Sequence, residues 1–207
     1  MCGRYYVNDT FEKELRLLLR ELQGQFRSES ISGAEAFSSP EGHDIFPGSS
    51  ALILKNSGSG LEAVQMTWGF PSPKGKGLLI NARAETALQK PTFSDSLLRR
   101  RCIIPASRFY EWDPSGTKVT FYREKSEMLY FAGLYRRFED GDRFVILTTG
   151  ANASMAPTHD RMPLILEKKE IPLWIEDETK LRHFLKKEMP ELIHEQDYLQ
   201  ETLDLIT

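Results

Sequence analysis

The chain has 207 residues, of which 40% are hydrophobic, and this is enough apolar material to bury one core. Lysine and arginine total 27 against 30 aspartate and glutamate residues, so the formal net charge is −3. This balance excludes a uniformly basic surface, and any nucleic-acid site must be a local basic cleft. We therefore expect one globular domain over residues 1–207.

The sequence shows neither a membrane-spanning segment nor a metal-binding motif. No apolar run reaches the length that spans a membrane, so the sequence predicts a protein of the cytoplasm without membrane contact. The two cysteines, Cys2 and Cys102, are too few for a disulfide framework and lack the paired spacing of a zinc site. The four histidines are scattered along the chain. We therefore expect no metal, no cofactor and a monomeric protein.

The first predicted element is a helix over residues 10–23. Apolar residues recur at helical spacing from Phe11 to Leu22. Asp9, with Glu12 three residues later, is typical of a capping box at the start of a helix.

Short β-like runs dominate the rest of the chain. They follow a Ser/Gly/Pro-rich connection over residues 28–50, in which Pro47-Gly48 indicates a turn. The predicted strands cover 51–55, 63–68, 78–81, 101–105, 119–123, 128–134 and 143–149, with a turn at 113–116. No regular helices separate them, which favours antiparallel or mixed sheets. With further helices expected at 177–187 and after Pro190, the sequence predicts an α+β fold with peripheral helices.

Cys2 could carry two nucleophilic groups, its thiol and a free α-amine. Methionine aminopeptidases remove Met1 when the next side chain is small, and removal leaves an α-amine and a thiol on one residue. In peptides the pKa of such an amine is about 7.7–8.0 and that of a cysteine thiol about 8.5, so the pair attacks an aldehyde near neutral pH and closes a five-membered thiazolidine. On position alone, an ordinary cysteine near a start codon is the simpler interpretation.

Three further clusters place polar side chains in unusual settings. One puts Asn81, Arg83 and Glu85 after an apolar strand, and a hydrogen-bonded strand end would explain the same pattern. Glu111 stands between aromatic residues, which suits a general acid or base, although an exposed residue of an alternating strand would look alike. His159 lies in a proline-bounded loop, where a surface histidine is also ordinary.

Taken together, these pieces resemble the SRAP family (SOS response-associated peptidase domain). The matching segments occur in one order along the first 165 residues, and seven ordered motifs are far more specific than one short motif. They are Cys2-Gly3-Arg4-Tyr5, Phe46-Pro47-Gly48, Trp68-Gly69, Asn81-Ala82-Arg83-Ala84-Glu85-Thr86, Arg101-Cys102-Ile103-Ile104-Pro105, Phe109-Tyr110-Glu111-Trp112 and His159-Asp160-Arg161-Met162-Pro163.

The resemblance implies a compact α+β domain with a barrel-like core and a positively charged groove for single-stranded DNA. It implies that Cys2 forms a reversible thiazolidine cross-link with C1′ of a ring-opened abasic site. Asn81 would orient the sugar or the amine, and Glu111 would be the general acid and base. His159 would assist at the sugar hydroxyl and the 3′-side phosphate in a lyase-like step.

The resemblance also implies a set of DNA contacts, with arginines at phosphates and tryptophans against the sugar or bases. These residues are Arg4, Pro47, Trp68, Arg83, Trp112 and Arg161. Two departures from the family pattern lower the DNA affinity that we expect. Asp44 would repel a phosphate that it faced, and the loop after Gly69 lacks the tryptophan that many relatives carry.

Two other functions fit the same residues. The family name suggests a cysteine peptidase in which Cys2 attacks a peptide bond with His159 as the base. A non-catalytic DNA-binding module would keep the fold without cross-linking. Self-trimming of a precursor with extra residues before Cys2 would indicate the peptidase, and equal affinity for intact and abasic strands would indicate the module.

Overall fold

The computed structural model describes residues 2–22, 42–58, 60–124 and 128–196. Strands outnumber helices in this part of the chain. The elements in chain order are β1 (Tyr5–Val7), α1 (Phe11–Leu22), β2 (His43–Ile45), β3 (Ser50–Asn56), β4 (Leu61–Trp68), β5 (Phe70–Pro71), β6 (Leu78–Leu79), β7 (Asn81–Arg83), α2 (Ala84–Ala87), α3 (Pro91–Arg99), β8 (Arg101–Ala106), β9 (Arg108–Trp112), β10 (Lys118–Tyr122), β11 (Leu129–Phe138), β12 (Gly141–Gly150), β13 (Arg161–Pro163), β14 (Ile165–Leu166), α4 (Ile171–Glu176), α5 (Leu181–Phe184) and β15 (Ile193–Gln196).

Five strands close into a barrel at the centre of the molecule. The pairing runs from β12 to β4, β3, β8 and β11, and β11 returns to β12. The β12–β4 pair is parallel and the other four pairs are antiparallel. β7 and β13 both pair with the second half of β12. This arrangement confirms the predicted α+β fold with mixed sheets and a barrel-like core.

A second, antiparallel sheet packs on one side of the barrel, and we call it the flanking sheet. Its strand order is β15-β10-β9-β1-β2. Alternate residues of its strands face the barrel and form a shared apolar core, in which the Tyr5 ring lies 5.3 Å from Trp68 and Phe109 lies 5.7 Å from Phe131. The residues between them form the outer face of the sheet.

The helices cover a second core on another side of the barrel. The predicted first helix is confirmed as α1, which buries Leu15, Leu18, Leu19 and Leu22 in this core. Residue 23 of the predicted helix and residues 28–41 of the predicted Ser/Gly/Pro-rich connection lie outside the described residues. Within the described ranges, no helix is long and apolar enough to cross a membrane.

Arg101 is a buried charge that ties two helices to the barrel. Its guanidinium donates to the carbonyl oxygens of Leu97 (3.2 Å) and Leu98 (2.8 Å) in the last turn of α3. It also donates to Trp174 (2.5 Å) and Ile175 (3.3 Å) in the last turn of α4. Helix C-terminal carbonyls lack partners within their own helix and carry partial negative charge, so this one side chain caps both helices.

The C-terminal helices were predicted incorrectly in part. The expected helix at 177–187 is broken into a 3₁₀ turn at Glu178–Lys180 and the short α5. The helix expected after Pro190 is wrong for residues 193–196, because β15 lies there and pairs antiparallel with β10, and residues 197–207 lie outside the described residues. Its residues complete the edge of an existing sheet, and such long-range pairing overrides the local helical preference of an acidic segment.

The remaining predicted strands are confirmed with shifted ends. The run at 78–81 divides into β6, which pairs with β5, and β7, which pairs with β12. The turn at 113–116 is present, with Gly116 N–H donating to the Asp113 carbonyl at 2.9 Å. At the Pro47-Gly48 turn, Gly48 has a φ of 86°, which a glycine adopts without strain.

Candidate active site

Cys2 and Asn81 meet where the flanking sheet joins the barrel. Asn81 opens β7, and its Nδ2 donates a hydrogen bond to the Cys2 carbonyl oxygen at 3.0 Å. Because a carbonyl only accepts, this bond fixes the orientation of the amide. The Asn81 Oδ1 is buried and has no hydrogen-bond partner among the described residues. A buried acceptor of this kind suits an amine or hydroxyl donor brought by a substrate.

The Cys2 thiol is held away from solvent, with 1% of the residue exposed. Its Sγ lies 3.9 Å from the Arg4 carbonyl oxygen, which is a weak contact. Burial raises the pKa of the Cys2 thiol well above its usual range, and the negative charge of Glu111 acts in the same direction. The thiol is therefore protonated and neutral near pH 7.

Glu111 faces the inside of the molecule. Side chains alternate along β9, so Phe109 and Glu111 point towards the barrel while Trp112 points to the outer face. Only 4% of Glu111 is exposed, compared with 42% of Trp112. The interpretation of Glu111 as an exposed strand residue is thus wrong, and its carboxyl lies near enough to Cys2 to influence the thiol.

Tyr5 is a polar group of this region that the sequence did not single out. Its hydroxyl is buried and has no hydrogen-bond partner in the described part of the chain. Burial raises the pKa of Tyr5, and the nearby sulfurs of Cys2 and Cys102 raise it further. The only signal in the sequence was a tyrosine within the Cys-Gly-Arg-Tyr motif, which local pattern alone does not distinguish from a core aromatic residue.

His159 precedes β13 in a tight turn. Its backbone N–H donates to the Met155 carbonyl at 3.0 Å, and its Nδ1 accepts the Arg161 N–H at 2.9 Å. An Asp160 carboxylate oxygen also lies 2.9 Å from Nδ1. Both side-chain contacts are made at Nδ1, and they hold the imidazole ring against the turn that precedes β13.

Arg161 ties β13 to α2 and β12. Its guanidinium makes two hydrogen bonds to the Glu85 carboxylate, at 2.7 and 2.9 Å, and a third to the Thr148 carbonyl at 2.7 Å. Hydrogen bonding to Arg161 lowers the pKa of Glu85. Arg83, two residues before Glu85, is exposed. Of these two predicted phosphate contacts, Arg83 thus faces solvent and Arg161 is already bound to a carboxylate.

Arg4 lies on the outer face of the flanking sheet. It forms an ion pair with Asp44. Its guanidinium also lies 4.9 Å from the Phe46 ring centroid and 5.1 Å from that of Tyr110. Asp44 therefore faces the arginine that was expected at a phosphate, and a phosphate would compete with this carboxylate for Arg4.

The two predicted tryptophan contacts have different environments. Trp112 is exposed on the outer face and Pro47 is half-buried in the turn after β2. Trp68 is completely buried, stacks on Phe144 at 6.1 Å and donates its indole N–H to the Ile80 carbonyl at 3.0 Å. The indole of Trp68 therefore fills the core, and this burial corrects the expectation that it packs against a sugar or a base.

The described residues contain no group of three or more histidine, cysteine, aspartate or glutamate side chains that would hold a metal ion. The arrangement around Cys2 is instead one of a neutral thiol, a buried carboxyl group and an amide with a vacant acceptor. These groups suit proton transfer and nucleophilic addition.

This fold and this order of motifs define a known class of protein. Residues 1–200 match the SRAP family, described as SOS response associated peptidase, and the chain belongs to that family. YoqW of Bacillus subtilis (strain 168) is 34% identical over 195 residues, which cover 84% of this chain and 80% of that protein. YobE of the same organism is 36% identical over 195 residues, covering 84% and 82%.

Both relatives are named abasic site processing proteins. A solved structure of a Bordetella bronchiseptica protein has the same fold, with a TM-score of 0.73 and 26% sequence identity. The similarity covers 96% of this chain and 100% of that one. The likeness therefore extends over the barrel, the flanking sheet and the region around Cys2.

Proposed function

We propose that this protein processes abasic sites in single-stranded DNA by forming a reversible covalent cross-link through Cys2. The observation that carries the proposal is the convergence of Asn81 and Glu111 on Cys2, in a chain whose relatives are named for abasic site processing. Removal of Met1 gives Cys2 an α-amine beside its thiol. This 1,2-aminothiol reacts with the aldehyde of the ring-opened sugar to form a thiazolidine.

The raised pKa of the Cys2 thiol sets the order of the bond-forming steps. A neutral thiol is a poor nucleophile, whereas a terminal α-amine with a pKa of about 7.7–8.0 is substantially unprotonated near pH 7.5. The amine therefore attacks C1′ first, and loss of one water gives the iminium. The thiol sulfur then adds to the same carbon and releases its proton, which closes the ring.

Glu111 is the group best placed to transfer protons during these reaction steps. As a carboxylic acid it protonates the departing water, and as a carboxylate it accepts the proton that the thiol releases. The same carboxyl reverses these transfers when the cross-link is hydrolysed. Asn81 Oδ1 accepts a hydrogen bond from the amine or from a sugar hydroxyl, and His159 assists at the sugar hydroxyl or the 3′-side phosphate.

We propose that the protein contacts DNA phosphates through Arg4, Arg83 and Arg161. Pro47 and Trp112 would contact the sugar or the flanking bases. Asp44 and Glu85 occupy two of these arginines in the free protein. Both carboxylates hold a guanidinium in place before DNA binds, but each must yield to the incoming phosphate. Binding is therefore expected to weaken steeply as salt is added.

A cysteine peptidase is less well supported by the same geometry. Peptidase nucleophiles are thiolates with a lowered pKa, next to a histidinium or in a similarly electropositive environment. Burial and Glu111 instead raise the pKa of the Cys2 thiol. An unreactive thiol that adds only to an adjacent iminium fits the aminothiol mechanism.

The experiment that tests the proposal is intact-mass analysis before and after incubation with an abasic single strand. The expected free protein lacks Met1, and the expected product has the mass of protein plus DNA minus one water. The matched control is the same strand without the lesion, which should give no product. Self-trimming of a precursor with added N-terminal residues, together with no DNA product, would instead establish the peptidase.

Replacement of Glu111 with Gln keeps the size of the side chain and removes its proton-transfer ability. We expect both formation and release of the cross-link to slow, by roughly 10²-fold or more. A denaturing-gel time course measures formation, and a chase with unlabelled abasic DNA measures release. Glu62→Gln, which alters a carboxylate paired with Lys55 at 3.0 Å, is the matched control and should retain the parent rates. Unchanged rates in E111Q would remove Glu111 from the mechanism.

A further inference from the structure

The outer face of the flanking sheet carries aromatic rings and cations that the chemistry at Cys2 does not use. Tyr6 lies opposite Arg108, whose guanidinium sits 4.4 Å from the Tyr6 ring centroid. Lys118 lies 5.1 Å from the Tyr110 ring centroid on the same face. Rings beside positive charges are the features on which proteins stack and neutralise single-stranded nucleic acid.

A recess of about 300 Å³ lies at the end of this face away from Cys2. We call it the outer recess, and it is lined by Asn8, Ser107, Arg108, Tyr122 and Glu195. Asn8 follows β1 and Cys2 precedes it, so the recess and the cysteine lie beyond opposite ends of this strand. Between Arg4 and Asn8 the extended chain spans about 13 Å at 3.3 Å per residue.

The outer recess has a polar lining with one unsatisfied acceptor. The Asn8 backbone N–H donates to Ser107 Oγ at 3.0 Å, and the Tyr122 hydroxyl donates to Glu195 at 2.6 Å. Asn8 Oδ1 is buried and has no hydrogen-bond partner within the described residues. This amide oxygen is thus an acceptor beside the recess that remains available to a hydrogen-bond donor.

The side chains of the outer recess match a nucleobase better than a phosphate. Glu195 places a carboxylate in the lining, and a phosphate would be repelled by it. Amide, guanidinium and carboxylate groups are those that hydrogen-bond to base edges, and splayed single-stranded bases are commonly held by such groups beside aromatic rings. The Tyr6 ring, already covered on one side by Arg108, extends this apolar and cationic surface towards Arg4.

We propose that the outer recess binds an unpaired base of the strand that flanks the lesion, several nucleotides from Cys2. This inference rests on the proposed single-stranded DNA substrate and adds a second anchoring point to it. The strand would run from the sugar held at Cys2, past Arg4 and Tyr6, to the recess beside Asn8. Anchoring at both places selects lesions that have unpaired DNA on that side.

The test measures non-covalent binding in a Cys2→Ala background, so it does not depend on cross-link formation. The probes are fluorescent single strands bearing a stable abasic analogue, one short and the others extended on the 5′ or the 3′ side. Arg108→Ala should weaken binding of one extended strand roughly tenfold and leave the short strand unaffected. Arg136→Ala is the matched control, since Arg136 is also an exposed strand arginine over an aromatic ring, at 5.3 Å from Phe138.

Removal of single bases from the extended strand separates a base site from a phosphate site. The Cys2→Ala protein should lose affinity when one particular base is deleted with its sugar and phosphate retained. In the protein that also carries Arg108→Ala, deletion of the same base should cause no further loss of affinity. Equal weakening of short and extended strands by Arg108→Ala would overturn the proposal, as would insensitivity of the parent to every base deletion. If the protein with Cys2 intact forms the cross-link but Arg108→Ala does not selectively weaken binding of the extended strand, only the proposal of base binding in the outer recess is overturned. If the selective weakening is seen but no cross-link forms, only the proposed reaction is overturned.

Discussion

Cys2→Ala is expected to abolish the denaturation-resistant adduct with abasic single-stranded DNA. The variant still loses Met1, because alanine is small, and it therefore keeps the α-amine that forms the iminium. It lacks the sulfur that closes the ring, so the iminium hydrolyses when the protein is denatured. Treatment with borohydride before denaturation should reduce the iminium to a stable amine and recover an adduct. Intact mass and denaturing gels measure both results.

The matched control for Cys2→Ala is Cys102→Ala. Cys102 is the other cysteine of the chain and is completely buried in β8, where it lies opposite Gly133. Its removal leaves a small cavity of about one atom and should cost on the order of 1 kcal/mol without affecting the cross-link. A stable adduct formed by Cys2→Ala without borohydride would exclude the thiazolidine.

Arg101→Met is expected to lower the free energy of unfolding by about 3–5 kcal/mol, because each buried carbonyl oxygen that loses its donor costs about 1–3 kcal/mol. Methionine fills a similar volume but donates no hydrogen bond. All four carbonyl oxygens at the ends of α3 and α4 then lose this donor, and those of Leu97, Trp174 and Ile175 stay buried. Part of this loss is offset because burial of the guanidinium is itself unfavourable, as its lowered pKa indicates. Urea unfolding measures the change.

The same substitution should lower Tm by roughly 6–20 °C, given about 2–4 °C per kcal/mol for a chain of this size. Arg99→Met is the control, because the Arg99 side chain is 76% exposed and pairs with Asp95 on the surface. It should change stability by less than about 0.5 kcal/mol. If Arg101→Met unfolds at the same urea concentration as the parent, the capping of both helices by Arg101 contributes little.

Local pattern was sufficient for the first helix and for most of the strands. α1 repeats leucines at helical spacing, and β3, β4 and β8 are apolar runs bounded by turn residues, so each carries its own signal. Closure of the barrel has no such signal. It depends on the parallel pairing of β12 with β4, whose residues are more than 70 positions apart, and nothing in either strand specifies the other.

The site shows the same division between local and long-range information. The motifs indicated Cys2, Asn81 and Glu111 as chemical candidates, but the burial of Glu111 became evident only when the inner face of the flanking sheet was known. The burial of Trp68 was missed for the converse reason, since a tryptophan ending a strand looks available to a ligand. Arg101 belongs to one of the motifs, but half of its contacts come from α4, more than 70 residues away in sequence, and local pattern does not reveal them.

Side chains of β9 alternate between the two faces of the flanking sheet, and this places reaction and recognition on opposite sides of one strand. In the proposed mechanism Glu111 on the inner side moves protons, while Arg108 and Trp112 on the outer side are proposed to contact DNA. A library randomised at Arg108 and Trp112 would explore new nucleic-acid preferences while Glu111 stays constant. Inserting or deleting one residue within the strand would instead exchange the two faces, so β9 should tolerate substitution at these outer positions but not a change in length.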